Sequence, residues 1–430
     1  MKTENNKYPA YKDSGVEWLG EIPSGWATTR IKHLFKEINE KSCDGTEDLL
    51  SVSQYTGVTN KTERLDDGGM LTNATTLEGY KKVCEGDLVS NIMLAWNGSL
   101  GFSNFNGITS PAYSIYRLKT IDVSRYFHYL LRIDLYKTEF KRNSSGVIES
   151  RLRLYTDDFF RITSILPPKE EQSAIAAFLD RKTALIDKAI SIKQKQIELL
   201  KERRQILIHK AVTRGLNPNV KMKDSGVEWI GEVPEGWEIL PGFRVYKENK
   251  TKNTGMKEDV VLSLSYGKIV IKPEEKLTGL VPESFETYQI IKPGDIIIRC
   301  MDLQNDKTSL RTGIAINNGI ITSAYLNLNI INGNNSNYVY NFIHSLDTTK
   351  VIYKFGTGLR QNLNYSDFKR LPIIVPPINE QNEIVNYIEI ATTKIATAIS
   401  LKEQENEKLK EYKATLINSA VTGKIKVSEV

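Results

Sequence analysis

The sequence predicts an α+β protein: two mixed α/β domains joined by two long helices in an antiparallel coiled coil, with a pseudo-two-fold internal repeat. Three observations carry this. Residues 12–26, KDSGVEWLGEIPSGW, return at 223–237 as KDSGVEWIGEVPEGW, with 12 of 15 positions identical at an offset of 211. Residues 165–214 return at 374–423 without a gap, with 21 of 50 positions identical at an offset of 209. Both of these second stretches carry a heptad rhythm of apolar residues. Near-equal offsets mean one unit of about 210 residues written twice.

The 430 residues exceed one compact core. At 40% hydrophobic and 26% charged they read as globular rather than disordered. No apolar run approaches a membrane span, so no membrane partner is expected. The polar start Met1–Asn6 predicts no secretory leader, and Cys43, Cys84 and Cys300, far apart and without a CxxC pair, fit a reducing cytoplasm. A net charge of +6 is compatible with a polyanion partner without demonstrating one.

Between the repeated stretches the copies diverge. Residues 27–150 and 238–357 share only fragments, GDLV (86–89) with GDII (294–297) and ITSPAY (108–113) with ITSAY (321–325). Each unit therefore has a shared frame around a variable interior, from drift after duplication or from one job done on different targets. β-Branched and aromatic runs predict strands at Ser90–Trp96, Ala112–Leu118, Asp295–Met301 and Tyr325–Ile331, and apolar spacing predicts a helix in each interior, Tyr126–Lys141 and Tyr338–Leu346.

Pro167-Pro168 and Pro376-Pro377 open the long helices, since proline suits a helix's first turn. The first carries a seam of Ile175, Leu179, Ile186, Ile190, Ile197, Leu200, Leu207 and Ala211, beside a stripe repeating every seven residues: Phe178, Leu185, Ile192, Leu199, Ile206. The second carries Ile384, Ile388, Ile395, Ile399, Leu409, Leu416 and Ala420, interrupted by Lys402, Asn406 and Lys413. Helices of ~44 residues span roughly 65 Å, too long to bury their seams on one domain each, so they are expected to bury them on each other. Eleven Lys/Arg against six Asp/Glu at 169–214, and six against seven at 378–424, favour that pairing. Asn406 aligns with Ile197, either fixing register in the seam or facing solvent.

Catalytic motifs are scarce. There is no GxxxxGK[ST] and no [ND]PP[FY], the Pro-Pro pairs following Leu166 and Val375. The FGTG at 355–358 reads as a turn, and Asp295, Asp302 and Lys307 as a loop with a solvated lysine. What remains suits polyanion binding. Each interior ends in a polar, glycine-containing loop, 143–155 and 356–365. Arg151, Arg153, Arg360, Gln361, Asn362 and Asn364 there are candidate contacts to phosphates or base edges, arginine pairing well with guanine and asparagine or glutamine with adenine. Solvation of a loop is the plain alternative for any one of them.

These features together resemble the specificity subunit of type I restriction-modification systems. The resemblance spans nearly the whole chain and rests on the doubled K-D-S-G-V-E-W-[LI]-G-E-[IV]-P-x-G-W, the [LV]-P-P-x-x-E-Q helix start and the A-V-T helix end. It implies a first target recognition domain at 1–166, a central helix at 167–214, a linker and second recognition domain at 215–375, and a C-terminal helix at 376–430. It implies that each recognition domain reads one half of an asymmetric bipartite site in double-stranded DNA. Two methyltransferase subunits, and optionally two restriction subunits, are the implied partners. S-adenosylmethionine, ATP and Mg would then belong to those partners, with no cofactor, metal or catalytic residue in this chain. A stand-alone DNA-modifying enzyme and a coiled-coil protein-binding scaffold are the competing readings.

Overall fold

The computed structural model describes residues 7–61, 76–119, 123–273, 284–305, 310–355 and 361–427. Two compact units result, one of residues 1–192 with 404–430, the other of residues 193–403. The division cuts both long helices near their middles, so each unit holds half of each helix.

In the first unit a four-stranded antiparallel sheet runs in the order Phe35–Ile38, Tyr113–Leu118, Leu88–Asn91, Leu100–Phe102. The second unit repeats it as Tyr246–Glu248, Leu326–Ile330, Ile296–Ile298, Thr312–Ile314. The shared Gly-Asp pairs explain themselves here. Gly86 and Gly294 take φ of 86° and 90°, the left-handed region open to glycine. The following carboxylates close the same turn, Asp87 accepting from Cys84 N–H at 2.9 Å and Asp295 from Lys292 N–H at 3.0 Å. Arg117 then grips Asp87 through two bonds of 2.7 and 2.8 Å, whereas Asn329 donates to Asp295 at 3.0 Å. Asp295 is thus occupied by structure; Lys307 lies outside the described residues.

The expected strand Ser90–Trp96 ends early, at Asn91, and the chain turns into a 3-10 segment at Ala95–Asn97. The expected helix Tyr126–Lys141 is two helices, Ser124–Leu130 and Asp134–Arg142. In the break Arg132 donates to the carbonyls of Leu100, Gln54 and Tyr55. Its counterpart in the second unit is continuous, Ser336–Thr348, with Asn335 as its N-cap.

The long helices are Lys169–Arg214 and Ile378–Val421, of 46 and 44 residues. In the first unit Ile175, Leu179 and Ile186 share a core with Leu416, Ala420 and Val421. In the second, Ile208, Ala211 and Val212 share one with Ile384, Val385 and Ile388. The start of each helix packs on the end of the other, which is antiparallel pairing. The seam's polar interruptions are accommodated: Lys413 Nζ meets Asp187 at 2.7 Å and Lys402 Nζ meets Gln196 Oε1 at 2.7 Å. Asn406 is buried, and its Oδ1 has no hydrogen-bond partner among the described residues. The strict heptad stripe is different: Leu185, Ile192, Leu199 and Ile206 are about half exposed, between 47% and 58%.

The repeated signatures meet in space. Trp26, at the end of the first copy, donates from Nε1 to Glu171 at 2.9 Å; Trp237 does the same to Glu380 at 2.7 Å. The next residue of each helix start repeats as well. Gln172 accepts from Val123 N–H at 3.0 Å and Gln381 from Asn335 N–H at 2.9 Å, and each donates to a carbonyl of its own Pro-Pro pair, Pro167 and Pro376. At the helix ends Tyr126 Oη donates to Val421 O at 2.9 Å and Tyr338 Oη to Val212 O at 3.0 Å. Short strands seal the frame, Thr163–Leu166 on Ala27–Arg30 and Pro372–Val375 on Glu238–Pro241. The duplicated residues therefore build a clamp holding each interior on the helix pair.

Candidate nucleic-acid interface

In each unit three segments gather at one end of the sheet. In the first these are the loop 143–155, the turn after Asn91, and the turn of the hairpin pairing Leu50–Ser53 with Gly57–Asn60. The loop is tied to the turn by Leu154 N–H donating to Ile92 O at 2.8 Å, and to itself by the Ser145–Arg153 bridge, with bonds of 2.9 and 3.0 Å. Lys141 pairs with Glu149 and lies 5.4 Å from the Trp96 ring centre, linking the 3-10 segment Glu149–Arg151 to the one at Ala95–Asn97. The hairpin reaches the same sheet end, Gly57 lying directly against Gly101, which pairs with Val89.

The second unit repeats this. Leu363 N–H donates to Cys300 O at 2.8 Å, as Leu154 does to Ile92. Arg311, buried, donates to the carbonyls of Arg299, Met301 and Asp302 and so shapes the adjoining turn. The hairpin of Leu262–Ser265 and Lys268–Ile271 leans on Leu310 and Thr312 at its Gly267.

The sequence-predicted residues divide. Arg151 and Arg153 are exposed on the tied loop. Gln361 is exposed with φ +50°, a left-handed conformation that is uncommon for a residue other than glycine. Asn362 Oδ1 accepts from Asp302 N–H at 2.8 Å, so that residue spends its acceptor on the turn. Asn364 is the N-cap of the helix Tyr365–Arg370, in a reciprocal capping box with Asp367. Its Oδ1 is taken by Ser366, leaving only the amide protons for a ligand. Arg360 lies outside the described residues.

Sequence reasoning missed the hairpin tips. Tyr55 and Tyr266 are 84% and 83% exposed, each at the turn of the corresponding hairpin. Beside Tyr55 lies a cavity of ≈ 410 Å³ lined by Arg125, His128, Arg132, Asp187 and Lys413 among others. Arg125 pairs with Asp180 and Lys413 with Asp187, so two of the wall's three cations are already matched by carboxylates. Desolvation, with Arg132 and Arg125 nearby, pushes His128 down to about 3, so its ring stays neutral and Nδ1 accepts from Phe102 N–H at 3.4 Å. In the second unit His344, desolvated and near Arg204, is pushed down to about 4 and pairs with Thr312 Oγ1 at 3.0 Å.

The type I restriction modification DNA specificity domain matches residues 23–202 and again residues 242–411, together most of the chain. The chain belongs to that family. The two matches of this specificity domain follow the internal repeat, one in each copy. The MjaVIII type I restriction enzyme specificity subunit of Methanocaldococcus jannaschii is 23% identical over 95% of both chains. The putative MjaX specificity subunit from the same organism is 24% identical over 74% of this chain and 68% of its own. Among solved structures, a chain from a type I R-M system described for its complex assembly and conformational transition superposes with TM-score 0.67. It has 13% identity and covers 93% of this chain and 98% of its own. The HsdS subunit of Thermoanaerobacter tengcongensis gives 0.53 at 14% identity, covering 94% and 98%. These two share the specificity-subunit fold, the duplicated sheet-and-helix design described above. No helix among the described residues is long and apolar enough to cross a membrane.

Proposed function

We propose that this chain is the non-catalytic, DNA-reading subunit of a type I restriction-modification complex acting in the cytoplasm. Each unit reads one half of a bipartite site in double-stranded DNA. The observation that carries this is the doubled design: one clamp built from near-identical residues holds two interiors of different sequence, and each presents the same three segments at one end of the same sheet. A frame that repeats while the surface it presents changes is what two different half-sites require. Arg151, Arg153, Arg360 and Gln361 are the proposed contacts to phosphates or base edges, with Asn362 and Asn364 acting mainly through the turns they hold.

Two methyltransferase subunits, and optionally two restriction subunits, supply the chemistry. S-adenosylmethionine, ATP and Mg belong to them. The exposed stripe Leu185, Ile192, Leu199, Ile206 is a surface suited to such partners, since apolar residues aligned along one helix stay solvated at a cost unless covered. The test is to combine this chain with its methyltransferase subunits on genomic DNA and map the modified adenines. A bipartite motif with an unread spacer is expected. Methylation without a motif, or unchanged by leaving this chain out, contradicts the proposal.

A further inference from the structure

We propose that Tyr55 and Tyr266 are matched DNA contacts, each pressing its ring on a base of its own half-site; this rests on the DNA-reading function proposed above. A single exposed tyrosine means little, because surfaces carry many apolar atoms. Here the same side chain recurs at the turn of the same hairpin in two interiors that otherwise share only fragments of sequence. Both are more than four-fifths exposed, and neither hydroxyl has a hydrogen-bond partner among the described residues. Neither ring therefore contributes to the core or to a polar network.

The turns are held firmly although the rings are free. In the first unit Arg132 donates to Gln54 O at 2.8 Å and to Tyr55 O at 3.1 Å. In the second unit Tyr340, whose hydroxyl burial pushes up to about 12 and so keeps protonated, donates to Gly267 O at 3.4 Å. Two unrelated side chains do one job, fixing the backbone beneath an exposed ring. An aromatic with two rotatable bonds on a fixed backbone loses little entropy when it binds.

The second turn also carries strain. Ser265 pairs with Lys268, so Tyr266 and Gly267 form a two-residue turn, with φ of 47° and 75°. That is the type I′ pattern, which favours asparagine or glycine at its first position. Tyrosine there is the poorer choice for folding, and a cost kept at an exposed turn points to use. Basic groups stand near both rings: Tyr55 edges a cavity whose wall holds Arg132 beside the ion-paired Arg125 and Lys413, and Lys268 follows the second turn. Base faces in a duplex are covered by their neighbours, so the contact open to an exposed ring is at the groove edge, where an aromatic packs on a thymine methyl.

The test uses the intact chain assembled with its methyltransferase subunits. Tyr266→Ala is expected to lower methylation of the cognate duplex about five- to a hundred-fold, with relaxed sequence preference confined to one half-site. Tyr55→Ala should do so at the other half-site. Tyr266→Asn should raise the melting temperature of the free chain while losing methylation, which separates contact from folding. Parental rate and motif in both alanine variants would overturn the proposal while leaving the DNA-reading function intact. Relaxation of both halves by one variant would overturn the half-site assignment. A parent complex that methylates no bipartite motif would instead remove the reading on which the proposal rests.

Discussion

Trp26 donates its indole proton to Glu171 across 145 residues of sequence, and this 2.9 Å bond joins the two signatures that the chain carries in duplicate. The ring is 1% exposed, so its N–H needs a partner inside the protein. Glu171→Ala should destabilise the first unit by about 1–3 kcal/mol, the cost of a stranded buried donor. Glu380→Ala should cost less in the second, because that carboxylate is exposed and water reaches it. Denaturant titration of the two variants checks both the size and the order.

Asn406 sits in the helix seam with its Oδ1 unpaired, where the first copy has Ile197. Asn406→Leu should therefore stabilise the chain by about 1–2 kcal/mol, removing a buried unsatisfied group at similar volume. A higher melting temperature is the expected result, and a lower one would show that the asparagine holds register by a bond formed in solution.

The exposed heptad stripe predicts a surface effect without a folding effect. Leu199→Lys should change stability by less than about 0.5 kcal/mol. It should weaken assembly with the methyltransferase subunits, read by co-elution on a sizing column.

His128 and His344 make the fold acid-sensitive. Both sit well below the ordinary 6.5, at about 3 and about 4, through desolvation and neighbouring arginines. Below pH 6.5 the unfolded chain takes up protons that the folded chain refuses, so stability falls as pH falls from 6.5 towards those values and is fully present above it. At the acid end the loss is at most about 5 kcal/mol for His128 and about 3 kcal/mol for His344, less where solvent screens them. His344→Gln should reduce the slope of the melting-temperature profile between pH 4 and 6.5, the window of its own shift.

The frame was legible because it is repeated: Trp26, Glu171, Gln172 and Val421 each have a counterpart at nearly constant offset, and duplication marks them without any knowledge of contacts. The seam was legible because burial follows a heptad. The neighbouring stripe through Leu199 obeys the same rhythm yet faces solvent, since period alone does not say which face finds a partner. Asn364 had a readable signal, the Asn-x-x-Asp of a capping box, that a search for base contacts passed over. Tyr55 and Tyr266 stand 211 residues apart, the offset of the first repeat, so an ungapped comparison aligns them; what it does not show is that both rings are exposed at hairpin turns. The break near Arg132 follows from a tertiary demand, the carbonyls of a distant hairpin, that local apolar spacing does not encode.

The central claim is that each interior reads its own half-site on a shared frame. Replacing residues 238–373 with the corresponding interior of another family member, then mapping methylated adenines in cells expressing the full complex, tests it most directly. One half of the bipartite motif should change and the other should stay as it was. If both halves change together, or neither does, the two units are not independent readers and the account fails.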